Sequence, residues 1–597
     1  MSKKSRTSQR ISTEKRVTDS KAKRIGYFAA LLIVMGSSIG SGIFFKSGGV
    51  MSNVDNSIVL ALLSWIIAAF SVIAMAIALI DIAAQSKKDD RGLLSWVKRF
   101  NGLYLYKSAK NLYIYFTLPI KFFALPVYFF QSLQTGICYI DATWVDGHIV
   151  LGPIGESALN FPWWGIFLIV LTIDVYFMVV NGISTRAGSM TNRLLMYIKF
   201  VPLLFAFLIG FIILGMNNGL PADNEWWVSG NLMNKPIDQL TAPRTLVGFS
   251  PAIGVFMSLA SVFFAFDGFY VAAGIQSQLK EPKKISNILL FGLLIVTVIY
   301  LSIALSMTLG ANGGKWANVG AFFVERGVSW IYSIIAILIA IGVLGIINGY
   351  SMWAMRLYQE LLESWELPFS KYLIKLKTRS GKPLGGRIFI MVLGLLVSMT
   401  CVLVAALAYQ VTPSPLIGNV YRIQGTEMIQ DGYVNIEVNG LYAFADMITN
   451  WQTIFTFAFI TAAIFSSTLS KTKQQTKSRR DIITIIAGWF SVVIIFTALL
   501  FQFAQPFANL AFAIEFNNTI DQRDNAQQAV QVFPHICLVV ILFVALFIAF
   551  VPSIFEARNK QTQQIFYLED KIWKLQYKKE QMVHELENIQ QSNDNVK

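Results

Sequence analysis

Twelve apolar runs, each long enough to cross a bilayer as a helix, dominate this chain of 597 residues. A transmembrane helix needs about 20 consecutive apolar residues, because every backbone polar group must be satisfied within the hydrocarbon core. No segment between the runs is long enough for another folded domain. The runs cover residues 25–45, 57–85, 109–140, 163–183, 190–216, 251–276, 285–310, 329–362, 386–411, 441–469, 481–505 and 533–555. We therefore predict an all-α polytopic membrane protein with twelve transmembrane helices, called spans 1–12.

The composition excludes most other classes of protein. Apolar residues make up 55% of the chain and charged residues 14%, against roughly 25% charged residues in a soluble domain. The three cysteines lie in or beside apolar runs, which argues against a disulfide framework, and the three histidines are too scattered to assemble a metal site. No phosphate-binding loop, nucleotide-binding module or catalytic triad is visible. We expect neither an enzyme nor a cofactor or metal.

The basic residues predict the orientation in the membrane, because Lys and Arg are retained on the cytoplasmic side. Of 49 such residues, 39 lie in the two tails and in the loops after the even-numbered spans, with Lys110, Arg193 and Arg387 at the span ends counted with the loops they adjoin. Seven lie in the alternate loops, Lys46 among them. The other three, Lys121, Lys199 and Arg356, fall within spans. We expect a multi-pass plasma-membrane protein with both termini in the cytoplasm. The net charge of +15 then faces anionic membrane lipids, and nucleic-acid binding is not needed to explain it.

Spans 1 and 6 each contain residues that interrupt a helix. The segment from Gly36 to Gly42 holds three glycines and three serines, and span 6 carries Asp267 followed by Gly268. Close helix packing through Gly36 and Gly40 is one explanation for the first segment. The other is an unwound turn whose free amides bind an anion. Matching breaks five spans apart predict two inverted repeats of five spans, with two additional helices.

The predicted spans divide the chain into six parts. They are a basic cytoplasmic tail at 1–24, repeat 1 at 25–216, an extracellular loop at 217–250, repeat 2 at 251–469, spans 11 and 12 at 470–555, and a cytoplasmic C-terminal helix at 556–597.

Several segments, taken in order, resemble the amino acid–polyamine–organocation superfamily of secondary transporters. The segment after span 2, residues 79–102, matches that pattern only in a divergent form. The matching pieces are Ile39-Gly40-Ser41-Gly42-Ile43-Phe44, Asn181-Gly182-Ile183 with Asn192 and Lys199, Phe264-Ala265-Phe266-Asp267-Gly268-Phe269, and Gly345-Ile346-Ile347-Asn348-Gly349-Tyr350.

The resemblance implies secondary transport of an amino acid or related amine by alternating access, with helices 1 and 6 broken near the membrane midplane. It implies that backbone amides of Gly40, Ser41, Gly42 and Ile43 bind the substrate carboxylate. It also implies that carbonyl groups around Ile39, Phe264 and Ala265 bind the amino group, with Asp267 beside them. A zwitterion requires donors at one end and acceptors at the other, and an unwound backbone supplies both.

Lys199 in span 5 has two interpretations. Burial disfavours the charged form of a lysine, so a lysine this deep can exchange protons near neutral pH and couple transport to protons. Some members of the resembling superfamily have a lysine at the matching position, beside the unwound part of span 1. The alternative is a permanently charged prop between spans 5 and 1 in an exchanger.

Other possibilities also stay open at this stage. Asp267 favours an organic-cation, polyamine or inorganic-ion transporter on the same fold, and a sensor acting through the C-terminal tail is a third function. Lys121 is either a network residue typical of the resembling superfamily or, as we expect, a lysine that extends along span 3 to the inner membrane surface. The tail carries a heptad seam, which predicts self-association or a partner helix, or else an amphipathic helix lying on the membrane. The seam residues are Ile565, Leu568, Ile572, Leu575, Lys579, Met582, Leu586 and Ile589.

Overall fold

The computed structural model is predominantly α-helical. Gly40 and Ser41, both predicted to bind substrate, lie outside the residues that it describes, as do residues 1–25. The described residues are 26–39, 42–85, 92–146, 148–217, 219–221, 224–227, 246, 250–270, 284–378, 381, 383–409, 420–424, 427–430, 435–474, 478–519, 525–572, 575 and 582.

The helices of the first half follow the predicted apolar runs. They are α1 (Tyr27–Ser38), α2 (Gly42–Asn53), α3 (Ile58–Gln85), α4 (Leu93–Phe100), α5 (Leu103–Leu112), α6 (Leu118–Cys138), α7 (Pro153–Leu159), α8 (Trp163–Ile183), α9 (Thr185–Ile198) and α10 (Phe200–Asn217). A π-helical turn at Tyr113–Thr117 joins α5 to α6, so the two form one long span 3. Most of span 3 is buried among the other helices, which makes it a central element of the fold.

The second half contains the remaining helices. They are α11 (Pro251–Phe266), α12 (Ile285–Gly310), α13 (Trp316–Glu325), α14 (Ser329–Glu363), α15 (Ser370–Leu373), α16 (Gly385–Leu403), α17 (Ile436–Thr472), α18 (Arg479–Thr519) and α19 (Asn525–Arg558). Within the described chain, ten helices are long and apolar enough to cross a membrane, and they correspond to predicted spans 2–5 and 7–12.

Spans 1 and 6 are the two predicted spans that do not form one long helix. After α1, Ile39 has an extended backbone (φ −72°, ψ 95°), and a new helix, α2, begins at Gly42. Helix α11 ends at Phe266, where Asp267 is extended (φ −62°, ψ 134°) and Gly268 has a φ of 111° that favours glycine. The predicted breaks are therefore present. The inverted repeat built on them stays a prediction.

The loops separate onto two sides of the helix bundle. On one side, strands β1 (Thr143–Val145) and β2 (His148–Val150) follow span 3, and β3 (Val420–Gln424) and β4 (Glu427–Gln430) follow span 9. They form one sheet in the order β1-β2-β3-β4, with β2 parallel to β3. On the other side, α4 contacts the helix over 560–572 in the C-terminal tail. Both groupings agree with the predicted alternation of the loops.

Candidate functional site

The breaks of spans 1 and 6 touch each other. A Cβ atom on Gly42 would lie 2.7 Å from the Cα of Ala265 and 3.1 Å from its backbone nitrogen. Both residues are buried, as are Ile39 and Ile43 on either side of the span 1 break. Only glycine permits so close an approach between the two backbones. The fold thus brings together residues that were predicted to bind substrate although they lie more than 200 positions apart.

Lys199 is bound to the end of α1. Its Nζ donates hydrogen bonds to the backbone oxygens of Gly36, at 2.7 Å, and Ile39, at 2.8 Å. Carbonyl groups at a helix C-terminus lack intrahelical partners and carry partial negative charge, so they suit an ammonium group. Among the described residues, no carboxylate lies within ion-pair distance of Lys199, which is buried at the end of span 1 beside a small cavity lined by Ile39 and Gly342.

The carbonyl groups predicted to bind the substrate amine already have donors within the protein. The Ile39 oxygen accepts from Lys199, the Ala265 oxygen accepts from the Tyr300 hydroxyl at 2.9 Å, and the Phe264 oxygen accepts from the Asp267 amide at 3.2 Å. Each carbonyl oxygen has two lone pairs and can accept a second hydrogen bond. A second acceptor position on the Phe264 and Ala265 oxygens is therefore compatible with the predicted binding of a substrate amine, whereas at Ile39 the amine would lie beside the Lys199 ammonium.

Asp267 is paired with Lys121, and the expectation that Lys121 extends to the membrane surface is wrong. The Lys121 ammonium donates to Asp267 Oδ2 and, at 2.9 Å, to the hydroxyl of Tyr350. Gln452 donates to the same carboxylate oxygen at 3.2 Å. The side chains of Lys121 and Asp267 are only 5% and 3% exposed. A buried charge is tolerated when an opposite charge and hydrogen bonds accompany it. Lys121 and Asp267 each provide the other with an opposite charge and a hydrogen bond.

Lys46 lies near Phe264 of the span 6 break, although the sequence analysis assigned it to an outer loop. It lies on α2 with no exposed surface, which leaves six basic residues in the alternate loops. Its ammonium contacts Asp446 Oδ1 of span 10 at 2.6 Å and lies 4.8 Å from the ring centre of Phe264. The Phe45 ring stacks on Tyr128 of span 3 at 4.5 Å. These contacts join the start of α2 to spans 3 and 10 next to the span 6 break.

A second group of charges lies near α4, which contacts the C-terminal tail. Glu366, which follows α14, accepts hydrogen bonds from the Tyr106 hydroxyl and, at 2.9 Å, from Lys107. Burial alone would raise the pKa of Glu366, but the charges of Lys107 and Lys98 and these hydrogen bonds lower it to about 2. Lys110 pairs with Glu556 at the end of span 12, at 2.6 Å. Ends of spans 3, 8 and 12 are therefore joined by ion pairs.

The C-terminal helix contacts this side through acidic residues. Glu569 lies 2.6 Å from Lys98 and Asp570 lies 2.8 Å from Arg99, both of α4. The described members of the heptad seam remain at least half exposed: Ile565, Leu568, Ile572, Leu575 and Met582. Lys579, Leu586 and Ile589 fall outside the described residues, so the predicted self-association or partner contact stays a prediction.

More than half of this chain is similar to known proteins. The family described as amino acid permease matches residues 25–569. An uncharacterized protein of Mycoplasma pneumoniae is 34% identical over 550 residues, which is 89% of this chain and 93% of that protein. The serine/threonine exchanger SteT of Bacillus subtilis is 24% identical over 360 residues, 59% of this chain and 70% of SteT. A crystal structure of a mutant Eremococcus coleocola manganese transporter aligns with a TM-score of 0.48 and 11% identity, over 89% of this chain and 96% of that chain.

Proposed function

The chain belongs to the amino acid permease family, and from that premise we propose that it carries an amino acid across the cell membrane by alternating access. Family membership makes it a multi-pass membrane transporter and not an enzyme. The substrate, the coupling ion and the orientation belong to the proposal. Both termini are placed in the cytoplasm, on the strength of the basic residues in the tails and the even-numbered loops.

The contact between Gly42 and Ala265 is the observation that carries this proposal. It sets the start of α2 against the end of α11, and α1 ends four positions before α2 begins. The first amides of a helix lack intrahelical acceptors, so those of Gly42 and Ile43 suit a carboxylate. The last carbonyls of α1 and α11 suit an ammonium group for the opposite reason. Helix ends of opposite partial charge match the two charged groups of an amino acid. We propose that the amides of Gly40 and Ser41 complete the carboxylate site.

Lys199 is proposed to couple transport to protons. Lys46 and Lys121 are also buried, but each has a carboxylate partner that favours its charged form. The positive charge of Lys199 is instead stabilised by hydrogen bonds to the backbone oxygens of Gly36 and Ile39. Loss of its proton would weaken both hydrogen bonds and release the end of α1. Proton release would thereby be linked to movement of the broken helix.

Uptake driven by an imposed inward pH gradient tests this role. Proteoliposomes holding wild type, Lys199→Ala or the exposed-site control Lys371→Ala are given a mixture of radiolabelled amino acids. We expect the gradient to stimulate uptake in wild type and in the control but not in Lys199→Ala. Stimulation that persists undiminished in Lys199→Ala would rule out this role. A wild type that ignores the gradient but exchanges internal for external substrate would show that Lys199 is a prop.

Exchange is the second mode supported by an observation, because SteT, the similar protein from Bacillus subtilis, is named as an exchanger. The organic-cation and inorganic-ion alternatives lose support from Asp267. Its charge is already balanced by Lys121, so it does not offer an uncompensated negative site.

A further inference from the structure

A buried polar cluster lies directly beside the break in span 6. It consists of Lys121 of span 3, Asp267 of span 6, Tyr350 of span 8 and Gln452 of span 10, joined by the hydrogen bonds given above. Four different helices therefore converge here. Tyr113 and Tyr270 lie next to the cluster, within electrostatic range of Asp267. Tyr113 begins the π-helical turn of span 3, and such turns are frequent at functional sites.

Two oxygens of the polar cluster have no hydrogen bond to any residue that the structure describes. Asp267 Oδ1 and Gln452 Oε1 have no donor among the described residues, although both side chains are buried. Tyr350 accepts from Lys121 and keeps its own hydroxyl hydrogen for another acceptor. Buried polar atoms are usually satisfied, so unmet acceptors beside a spare donor point to a ligand that supplies both kinds of partner.

The position and charge of the cluster limit what that ligand is. Asp267 follows Ala265 by two residues, and Ala265 contacts Gly42, so the cluster adjoins the place proposed for the substrate backbone. Lys121 and Asp267 cancel each other's charge, and a further charged group would be buried without a counter-ion. The matching group is uncharged and can both donate and accept a hydrogen bond.

We propose that the polar cluster binds the substrate's side chain and selects amino acids with a hydroxyl or carboxamide group. This inference rests on the proposed function and names its substrate class. Threonine and valine have nearly the same shape. Serine differs from alanine only by its hydroxyl group. A hydroxyl group can donate to one of the two oxygens, Asp267 Oδ1 or Gln452 Oε1, and accept from Tyr350, and a carboxamide can donate to both oxygens. The apolar member of each pair can do neither, and a site built to bond a hydroxyl group discriminates strongly against an analogue that lacks it.

Uptake of radiolabelled L-threonine and L-valine, and of L-serine and L-alanine, into proteoliposomes tests the inference. We expect wild type to prefer the hydroxyl member of each pair at least about tenfold in initial rate at low concentration. Gln452→Leu and Tyr350→Phe should each reduce that preference severalfold. Tyr332→Phe is the matched control. The buried Tyr332 hydroxyl donates to the backbone oxygen of Trp316 and not to the polar cluster. The variant's preference for the hydroxyl amino acids should therefore equal that of wild type.

The wild-type ratio decides the matter even if a variant fails to fold. Valine and alanine carried as fast as threonine and serine would overturn the selection by the polar cluster while leaving amino-acid transport intact. Uptake of none among the twenty common amino acids would overturn the proposed function, and this inference with it. An unchanged threonine preference in a well-expressed Gln452→Leu or Tyr350→Phe would also contradict the inference.

Discussion

Replacing Gly42 by alanine tests the contact between the two breaks. The new Cβ would lie 2.7 Å from the Ala265 Cα, about 0.7 Å inside the 3.4 Å at which ordinary contact begins. The atom it meets belongs to the backbone, so a side-chain rotation cannot relieve the clash. The ends of α2 and α11 must separate, and overpacking of this kind costs about 1–3 kcal/mol, equivalent to roughly 5- to 150-fold in an equilibrium.

Gly49→Ala is a matched control on the same helix, because a Cβ at Gly49 meets nothing within 4 Å. The gain in helix propensity is largest in a helix interior, so it favours Gly49→Ala by at most about 1 kcal/mol, and a loss beyond that in Gly42→Ala reports the contact with Ala265. The assay is the initial rate of amino-acid uptake in proteoliposomes, divided by the amount of folded protein. We expect Gly42→Ala to lose at least about fivefold relative to Gly49→Ala. Gly42→Val should abolish uptake with membrane expression near normal. Equal rates for Gly42→Ala and Gly49→Ala would refute the reasoning.

Three further predictions concern the two sides of the bundle. A single cysteine at Arg422 should react with an impermeant maleimide in intact cells and one at Lys98 only after lysis; the reverse pattern would refute the proposed orientation. The pKa of Glu366, lowered to about 2 from 4.5, implies roughly 3 kcal/mol of stability that is present above pH 4.5 and lost as the pH falls toward 2. Thermal unfolding in detergent should therefore show Glu366→Gln destabilised at pH 7 and that deficit shrinking in acid. Glu569→Lys should speed hydrogen exchange in the helix over 560–572, and adding Lys98→Glu should reverse the effect if the ion pair holds this helix.

Local features of the sequence were enough to predict the breaks. Glycine, serine and a mid-span aspartate disfavour a continuous helix wherever they occur, so the interruptions at Ile39 and Asp267 could be found without knowing any partner. The partners themselves could not be found. Lys121 and Asp267 lie 146 residues apart, and nothing local distinguishes a lysine that extends along its helix from one that faces an acid.

Lys46 shows a second limit of prediction from hydropathy. The apolar run of span 1 ends just before it, so the lysine was counted with the outer loop. Helix α2 in fact extends to Asn53, and Asp446 of span 10 balances the charge of the buried Lys46. The partner that makes this buried lysine tolerable lies 400 residues away, so the apolar run alone could not reveal it.

Uptake and counterflow of individual radiolabelled amino acids by the purified protein in proteoliposomes test the central claim most directly. The account predicts saturable uptake of at least one amino acid, acceleration when that amino acid is also loaded inside, and loss of both in Gly42→Val. Binding of an amino acid without any flux would instead indicate a sensor. Flux of polyamines or inorganic cations that amino acids do not inhibit would contradict the account.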